Sequence, residues 1–281
     1  MKQGHLKQPT NMILITGATG YLGQALIPRL KGKIRVLDRN EEKLAMLREK
    51  YPQIEIVVGD ISNEWIVKKA MQGIDEVYHL AAVKHIGLAE KNVFECINSN
   101  IIGSLNILSE SLNIRPKMVI GISTDKAAQV RGIYGASKLI MEGLFREAES
   151  VNPETRYRIV RYGNVLGSSG SVLPKWKEAI KRKQPMTVTN PESTRFYWTD
   201  EQAIDHIFDC IRKSKDATPY IPKMKSIMLW NLAQAVMKKY GRTKVTYTKL
   251  EGCDNLHETM DGKVFSNQVP QYTVKEIKKL I

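Results

Sequence analysis

Cysteine is scarce in this 281-residue chain. Cys96, Cys210 and Cys253 are odd in number, far apart and form no C-x-x-C pair. Neither a disulfide framework nor a metal site is therefore expected, and a reducing, cytoplasmic setting fits. Long hydrophobic runs are missing too: no stretch approaches the roughly 18 apolar residues that span a bilayer. The start, Met1 to Thr10, has no apolar core of the kind a signal peptide needs. Aromatic residues make up only 7%, with no basic patch interleaved with stacking rings. The surplus of 43 Lys and Arg over 29 Asp and Glu, most of it beyond residue 150, thus reads as a solvated surface that attracts anionic small molecules, not nucleic acid or membrane.

What is present is a rhythm. Short apolar runs at Met12–Thr16, Ile34–Asp38, Ile54–Val58, Glu76–Ala82 and Met118–Ser123 alternate with helix-length segments at Tyr21–Leu30, Glu41–Tyr51, Glu64–Met71 and Val93–Leu112. A long helix from about Tyr134 to Ser150 and a strand at Tyr157–Arg161 follow. Alternation of this kind predicts an α/β fold, a doubly wound parallel (Rossmann) sheet with its strand C-termini along one ligand-binding edge. After the Gly- and Ser-rich stretch 163–171 the rhythm breaks, and Pro174, Pro185, Pro191, Pro219 and Pro222 punctuate short helical pieces. The expected organisation is a flexible extension over 1–11, a dinucleotide-binding domain over 12–167, and a smaller, partly interleaved substrate-binding lobe over 168–281.

Gly17-Ala-Thr19-Gly20-Tyr21-Leu22-Gly23 follows the first strand directly and opens the first helix. In that context glycines let the backbone turn tightly and approach a pyrophosphate, whose charge is met by the amides of the helix N-terminus. Asp38, 21 residues after Gly17, ends the second strand, where a carboxylate accepts from an adenosine ribose and favours NAD. Arg39 follows it and suits the 2′-phosphate of NADP, so the residues leave that choice open. Asp60, with Ile61 beside it, ends the third strand within reach of an adenine edge, although a helix cap is the plainer role for this aspartate.

The fifth strand runs into Ser123-Thr124-Asp125-Lys126, and Tyr134 and Lys138 follow as Tyr-x-x-x-Lys. Four residues apart, tyrosine and lysine share one helix face, so the ammonium is placed to stabilise a phenolate. Bringing a phenol from near 10 to about 7 takes roughly 4 kcal/mol of differential stabilisation, a sum within reach of one close cation plus the cofactor's positive ring. Adjacent Asp125 and Lys126 would, in the bland alternative, be a solvated ion pair worth little. Lys84 and His85 follow the fourth strand on the same edge; His85 reads more simply as a structural histidine.

TGATGYLG, AAVKH (81–85), STDKAA (123–128), YGASK and RYGNVLG (161–167) resemble the extended short-chain dehydrogenase/reductase superfamily. With YGASKLIMEGLF, the stretch through SVLPKW, and TRF (194–196), the chain is similar to its polysaccharide-biosynthesis branch. That branch holds the soluble UDP-N-acetylglucosamine 4,6-dehydratases that invert C5. The resemblance covers residues 12 to about 260. It implies that Tyr134, helped by Lys138, takes the O4 proton while hydride leaves C4 for NADP or NAD. Lys126, as a neutral amine, then takes the C5 proton, Asp125, as a protonated acid, helps O6 leave, and Thr124 bonds the substrate hydroxyl. Hydride then returns to C6. The cofactor contacts implied are Gly17, Thr19, Gly20, Tyr21, Leu22, Gly23, Asp38, Arg39, Asp60, Ile61, Ala81, Ala82, Lys84, Tyr134 and Lys138. The UDP-sugar contacts are Lys84, Thr124, Asn164, Val172 and Arg195. No metal is expected, and a homo-oligomer is.

Three differences mark this chain. Ser169 stands where relatives carry arginine, KAAQVRGIY lacks the proline usual before the tyrosine, and GCDNLHE (252–258) replaces a sequence closer to GEKLHE. Membrane-anchored retaining relatives have methionine in place of Tyr134. The alternatives are a nucleotide-sugar 4-epimerase or reductase on the same scaffold, or a non-catalytic NAD(P)-binding regulator.

Overall fold

A computed structural model describes residues 11–168, 170–250 and 252–281. Except for Asn11, the expected N-terminal extension lies outside these residues, as does Ser169. Six strands form one parallel sheet: β1 (Met12–Thr16), β2 (Lys33–Asp38), β3 (Glu55–Val58), β4 (Glu76–His79), β5 (Met118–Thr124) and β6 (Arg156–Tyr162), in the order β3-β2-β1-β4-β5-β6. The doubly wound α/β fold is as expected, and its strand order reverses between β1 and β4, which opens a crevice at the strand C-termini.

The strands are apolar at successive positions because both faces are covered. Ile13, Ile15, Val36 and Ile120 pack with Leu26 and Leu44 on one side. Leu14, Leu37, Val77 and Val119 pack with Val67, Ile107 and Phe145 on the other. The helices supplying these side chains are α1 (Tyr21–Leu26), α2 (Glu41–Lys50), α3 (Glu64–Met71), α6 (Gly103–Ile114) and α7 (Ile133–Val151); α4 (Ile86–Lys91) and α5 (Val93–Ile97) lie between β4 and α6.

The structure departs from the sequence reading at three elements. α1 stops at Leu26, and Pro28 carries the chain on through a 3-10 turn, Ile27–Arg29. β4 ends at His79, not Ala82: after the Leu80 N–H bonds Thr16 O at 3.1 Å, the chain leaves the sheet and enters α4, which was not anticipated. The helix expected over Val93–Leu112 is interrupted by a π-helical turn, Asn98–Ile102, between α5 and α6. Here the Asn100 side chain pins the loop after β4, accepting from the Val83 N–H at 2.7 Å and donating to Val83 O at 2.9 Å.

Beyond β6 come β7 (Asn164–Val165), α8 (Val172–Lys181), β8 (Met186–Thr189), β9 (Thr194–Trp198), α9 (Asp200–Lys213), β10 (Ser226–Met228), α10 (Leu229–Tyr240), β11 (Val245–Thr248) and α11 (Val274–Leu280). Two small sheets, β10-β9-β7 and β11-β8, result. α9 starts at a Thr199/Gln202 capping box and returns Ile204 and Ile207 to the core under the main sheet. α8, α10 and α11 close a separate cluster around Trp176, Leu232, Val236 and Ile277. Among the described residues no helix is long and apolar enough to cross a membrane.

One buried ion pair ties these parts together. Glu142 on α7, 1% exposed, accepts from Arg161 Nε at 3.0 Å, from Arg161 Nη2, and from the Ser123 hydroxyl; Arg161 Nη1 also donates to Met260 O at 2.7 Å. Arg161→Met leaves that carboxylate uncompensated, and chemical denaturation is expected to register a loss of about 3–5 kcal/mol. A loss under 1 kcal/mol would refute the pair's structural role.

Candidate active site

The C-terminal edge of the sheet opens into a cleft of about 1510 Å³, larger than a single drug-sized ligand needs. Every sequence-predicted site residue lines it except Asp125, which lies behind Lys126. Gly17 forms one wall. Its φ of +70° lies in the left-handed region, and a Cβ there would come within 2.7 Å of Ala81 Cα, so only glycine lets the loop and the β4 strand end approach this closely. Gly23 is likewise pressed to Ala18 O.

At the end of β2, Asp38 Oδ2 accepts from the Thr19 N–H (3.0 Å) and hydroxyl (2.8 Å), while Oδ1 accepts from the Asn40 N–H at 3.1 Å. Arg39 reaches across to Asp60 at 3.1 Å and to Glu95. Burial pushes Asp60 up, but the Ser62 N–H and Arg39 outweigh it and hold the carboxyl below its ordinary value.

Thr124, Asp125 and Lys126 leave β5 in a 3-10 turn. The Thr124 hydroxyl donates to Asp125 Oδ1 at 2.8 Å, and Lys126 Nζ donates to the same oxygen at 2.9 Å. Asp125 is 0% exposed, and burial raises its pKa although Lys126 opposes the rise. Lys126 does not match the neutral amine expected: burial pushes its proton off, but the Asp125 and Glu258 carboxylates outweigh burial and raise its pKa. The chain's own groups therefore favour the ammonium.

In the chain by itself, burial pushes the Tyr134 phenol up to about 12, with Lys126 and a hydrogen bond with Thr124 only partly offsetting this. Lys138 shares its helix face but donates to Ile122 O at 2.8 Å, with Met141 Sδ at 3.6 Å. Burial draws Lys138 down to about 8. Its charge is spent on the β5 carbonyl, and Lys126 is the cation that favours the phenolate.

On the far side of the cleft, Val172 opens α8 and Asn164 on β7 donates to Phe196 O at 3.2 Å. Arg195 was read as a diphosphate contact, yet it also has internal partners: Nη1 donates to Thr194 O at 2.9 Å and Leu256 O at 3.0 Å, and Nε lies 3.5 Å from Glu258. Burial lowers the pKa of Lys84. His85, lowered by burial and by Lys84 and Lys175, also lines the cleft and packs against Gly170.

Sequence reasoning missed Asn100, His79 and the role of Glu258. Ser104 donates its hydroxyl to Asn100 O at 2.7 Å, so its oxygen accepts from His79 Nε2 at 3.0 Å, and Thr16 donates to His79 Nδ1 at 2.8 Å. Burial takes His79 down to about 3, keeping it neutral. Asn100 Nδ2 then bonds Ser137 on α7 at 2.9 Å. No local spacing announces this chain, because its members come from five elements.

Lys138 yields a test with a definite sign. The unfolded chain binds a proton there below pH 10.5, the folded protein only below about 8, so the fold gains about 3 kcal/mol as pH rises through that window. In denaturant titrations at pH 7.5 and 10.5, Lys138→Met is expected to lack this gain. A variant that tracks wild type at both pH values would refute the assignment.

Residues 13–270 match the family described as polysaccharide biosynthesis protein. The inverting UDP-N-acetylglucosamine 4,6-dehydratase of Campylobacter jejuni is 33% identical over 88% of this chain and 76% of its own length. A UDP-glucose 4-epimerase of Rickettsia akari is 33% identical over 82% of this chain and 71% of its own. The solved structure of Pen from Bacillus thuringiensis superposes with a TM-score of 0.85 at 32% identity, covering 89% of this chain and 81% of that one. With the glycine loop, the Tyr134–Lys138 helix and the parallel sheet already in place, these matches make the chain a member of the polysaccharide-biosynthesis branch of the extended short-chain dehydrogenase/reductases, among nucleotide-sugar dehydratases and epimerases.

Proposed function

We propose that the protein is a UDP-N-acetylglucosamine 4,6-dehydratase that inverts C5, works with NADP and serves surface-glycan synthesis in the cytoplasm. The observation that carries this reading is Lys126 Nζ at 2.9 Å from the buried Asp125 Oδ1, beside Tyr134. An epimerase needs only the O4 proton moved, whereas elimination of water across C5 and C6 needs a second base and a second acid. One proton passing from Lys126 to Asp125 makes both at once, a neutral amine and a carboxylic acid, without changing the charge of the site.

In this reading Tyr134 takes the O4 proton as the sugar becomes a 4-ketone, with Thr124 fixing the hydroxyl. The ketone acidifies the C5 proton, which Lys126 removes. Asp125 delivers its proton to O6, and water leaves. Protonation of C5 from the opposite face gives the L-arabino product. The dinucleotide, when bound, supplies oxidation at C4 and reduction at C6, so it is regenerated in each cycle.

The residues present fit such a group. The Gly17 loop leaves its backbone bare where a pyrophosphate approaches. Asp38 has both oxygens engaged by Thr19 and Asn40, whereas Arg39, 57% exposed at its side chain, is placed to turn from Asp60 and Glu95 towards a 2′-phosphate. That asymmetry supports NADP.

Incubation with UDP-N-acetylglucosamine in heavy water is expected to give a 4-keto-6-deoxy sugar carrying deuterium at C5, and Lys126→Ala to lower turnover by at least a thousandfold. Recovery of only the C4 epimer would overturn the reading in favour of an epimerase. Arg39→Ala should weaken NADP binding tenfold or more, measured by calorimetry, and leave NAD unchanged; equal effects on both would count against NADP.

A further inference from the structure

Glu258 has no part in the steps derived above. It ends the 252–258 segment and is 1% exposed. Its Oε1 lies 3.4 Å from Lys126 Nζ and 3.5 Å from Arg195 Nε, yet accepts no hydrogen bond, while Oε2 accepts from Asn255 Nδ2 at 3.2 Å. Burying a carboxylate is costly, and one kept with an oxygen short of donors contributes mainly through its field. The local backbone does not depend on the side chain: the Glu258 N–H donates to Ser266 Oγ at 2.9 Å, the Ser266 N–H donates back to Glu258 O at 2.8 Å, and Ser266 is bonded to Thr194.

We propose that Glu258 is a positioning residue for proton transfer, holding the Lys126 ammonium between itself and Asp125 and so setting how readily Lys126 gives up its proton to become the C5 base. The inference rests on the dehydratase reading. The charged and titratable groups facing Lys126 are Asp125 from its own turn, Glu258 from the C-terminal segment, Arg195 and Tyr197 from β9 and Tyr134 from α7. Two carboxylates favour the ammonium and Arg195 opposes it. Neutralising Glu258 removes an attraction and also leaves Arg195 without its carboxylate, so both changes push Lys126 the same way, towards the free amine. The amine then forms at lower pH but is a weaker base.

The C5 proton of the 4-keto-6-deoxy product, incubated with enzyme in heavy water, reports on Lys126 without requiring Tyr134. For Glu258→Gln, an isostere, the acid limb of the exchange-rate profile is expected to move down by at least one pH unit, with a lower plateau. Glu258→Asp, one methylene shorter but still charged, is expected to move in the same direction by less, and it supplies the test if the glutamine variant does not fold. If the wild type exchanges the proton and the folded variants change only in rate, with the limb unmoved, the side chain is merely structural and this inference is overturned alone. A wild type that neither makes the keto sugar nor exchanges its C5 proton overturns the dehydratase reading and this inference with it.

Discussion

Four charges, two of each sign, are gathered at the carboxyl ends of the central strands: Asp125, Lys126, Glu258 and Arg195, each with side-chain exposure of 15% or less. No one of them is tolerable there alone, because stripping water from an ion costs more than any single partner returns. Together they sum to zero and fasten the end of β5, β9 and the segment following β11 to one another. The Arg161–Glu142 pair reinforces this from beneath, since Arg161 also holds the Met260 carbonyl. The walls of the cleft are thus fixed by electrostatics as much as by apolar packing.

The sheet and its glycine loop were readable from the sequence because both are local signals. An apolar run of five residues, a glycine that no side chain can replace and an acid at a strand end each announce themselves without knowledge of the rest. The π-helical turn did not: its Asn100 is bonded to Val83, which only the folded chain brings to it. Glu258 was visible as part of LHE but not as a neighbour of Lys126, from which more than a hundred residues separate it. β4 was read too long for a similar reason: Leu80 to Ala82 are apolar, but they are spent facing Gly17.

Protonation was the least readable property. Helical spacing and a bound cofactor's positive ring suggest a lowered tyrosine beside a charged lysine. In the chain by itself, burial raises Tyr134 and lowers Lys138, one physical cause acting with opposite sign on an acid and a base. Helical spacing records which side chains share a face. It does not record that the lysine reaches the Ile122 carbonyl, or that another lysine, from a different element, takes over the stabilising role.

The thread from Thr16 through His79 and Ser104 to Asn100 runs in one direction, each member donating to the next. Such a thread tolerates no local reversal: turning one donor around leaves two oxygens or two hydrogens face to face. The four positions are therefore physically coupled, since replacing any one changes what its neighbour must donate or accept. Ser104, with no side chain at the cleft, thus links the end of β4 to the Asn100 that pins the cleft-side loop.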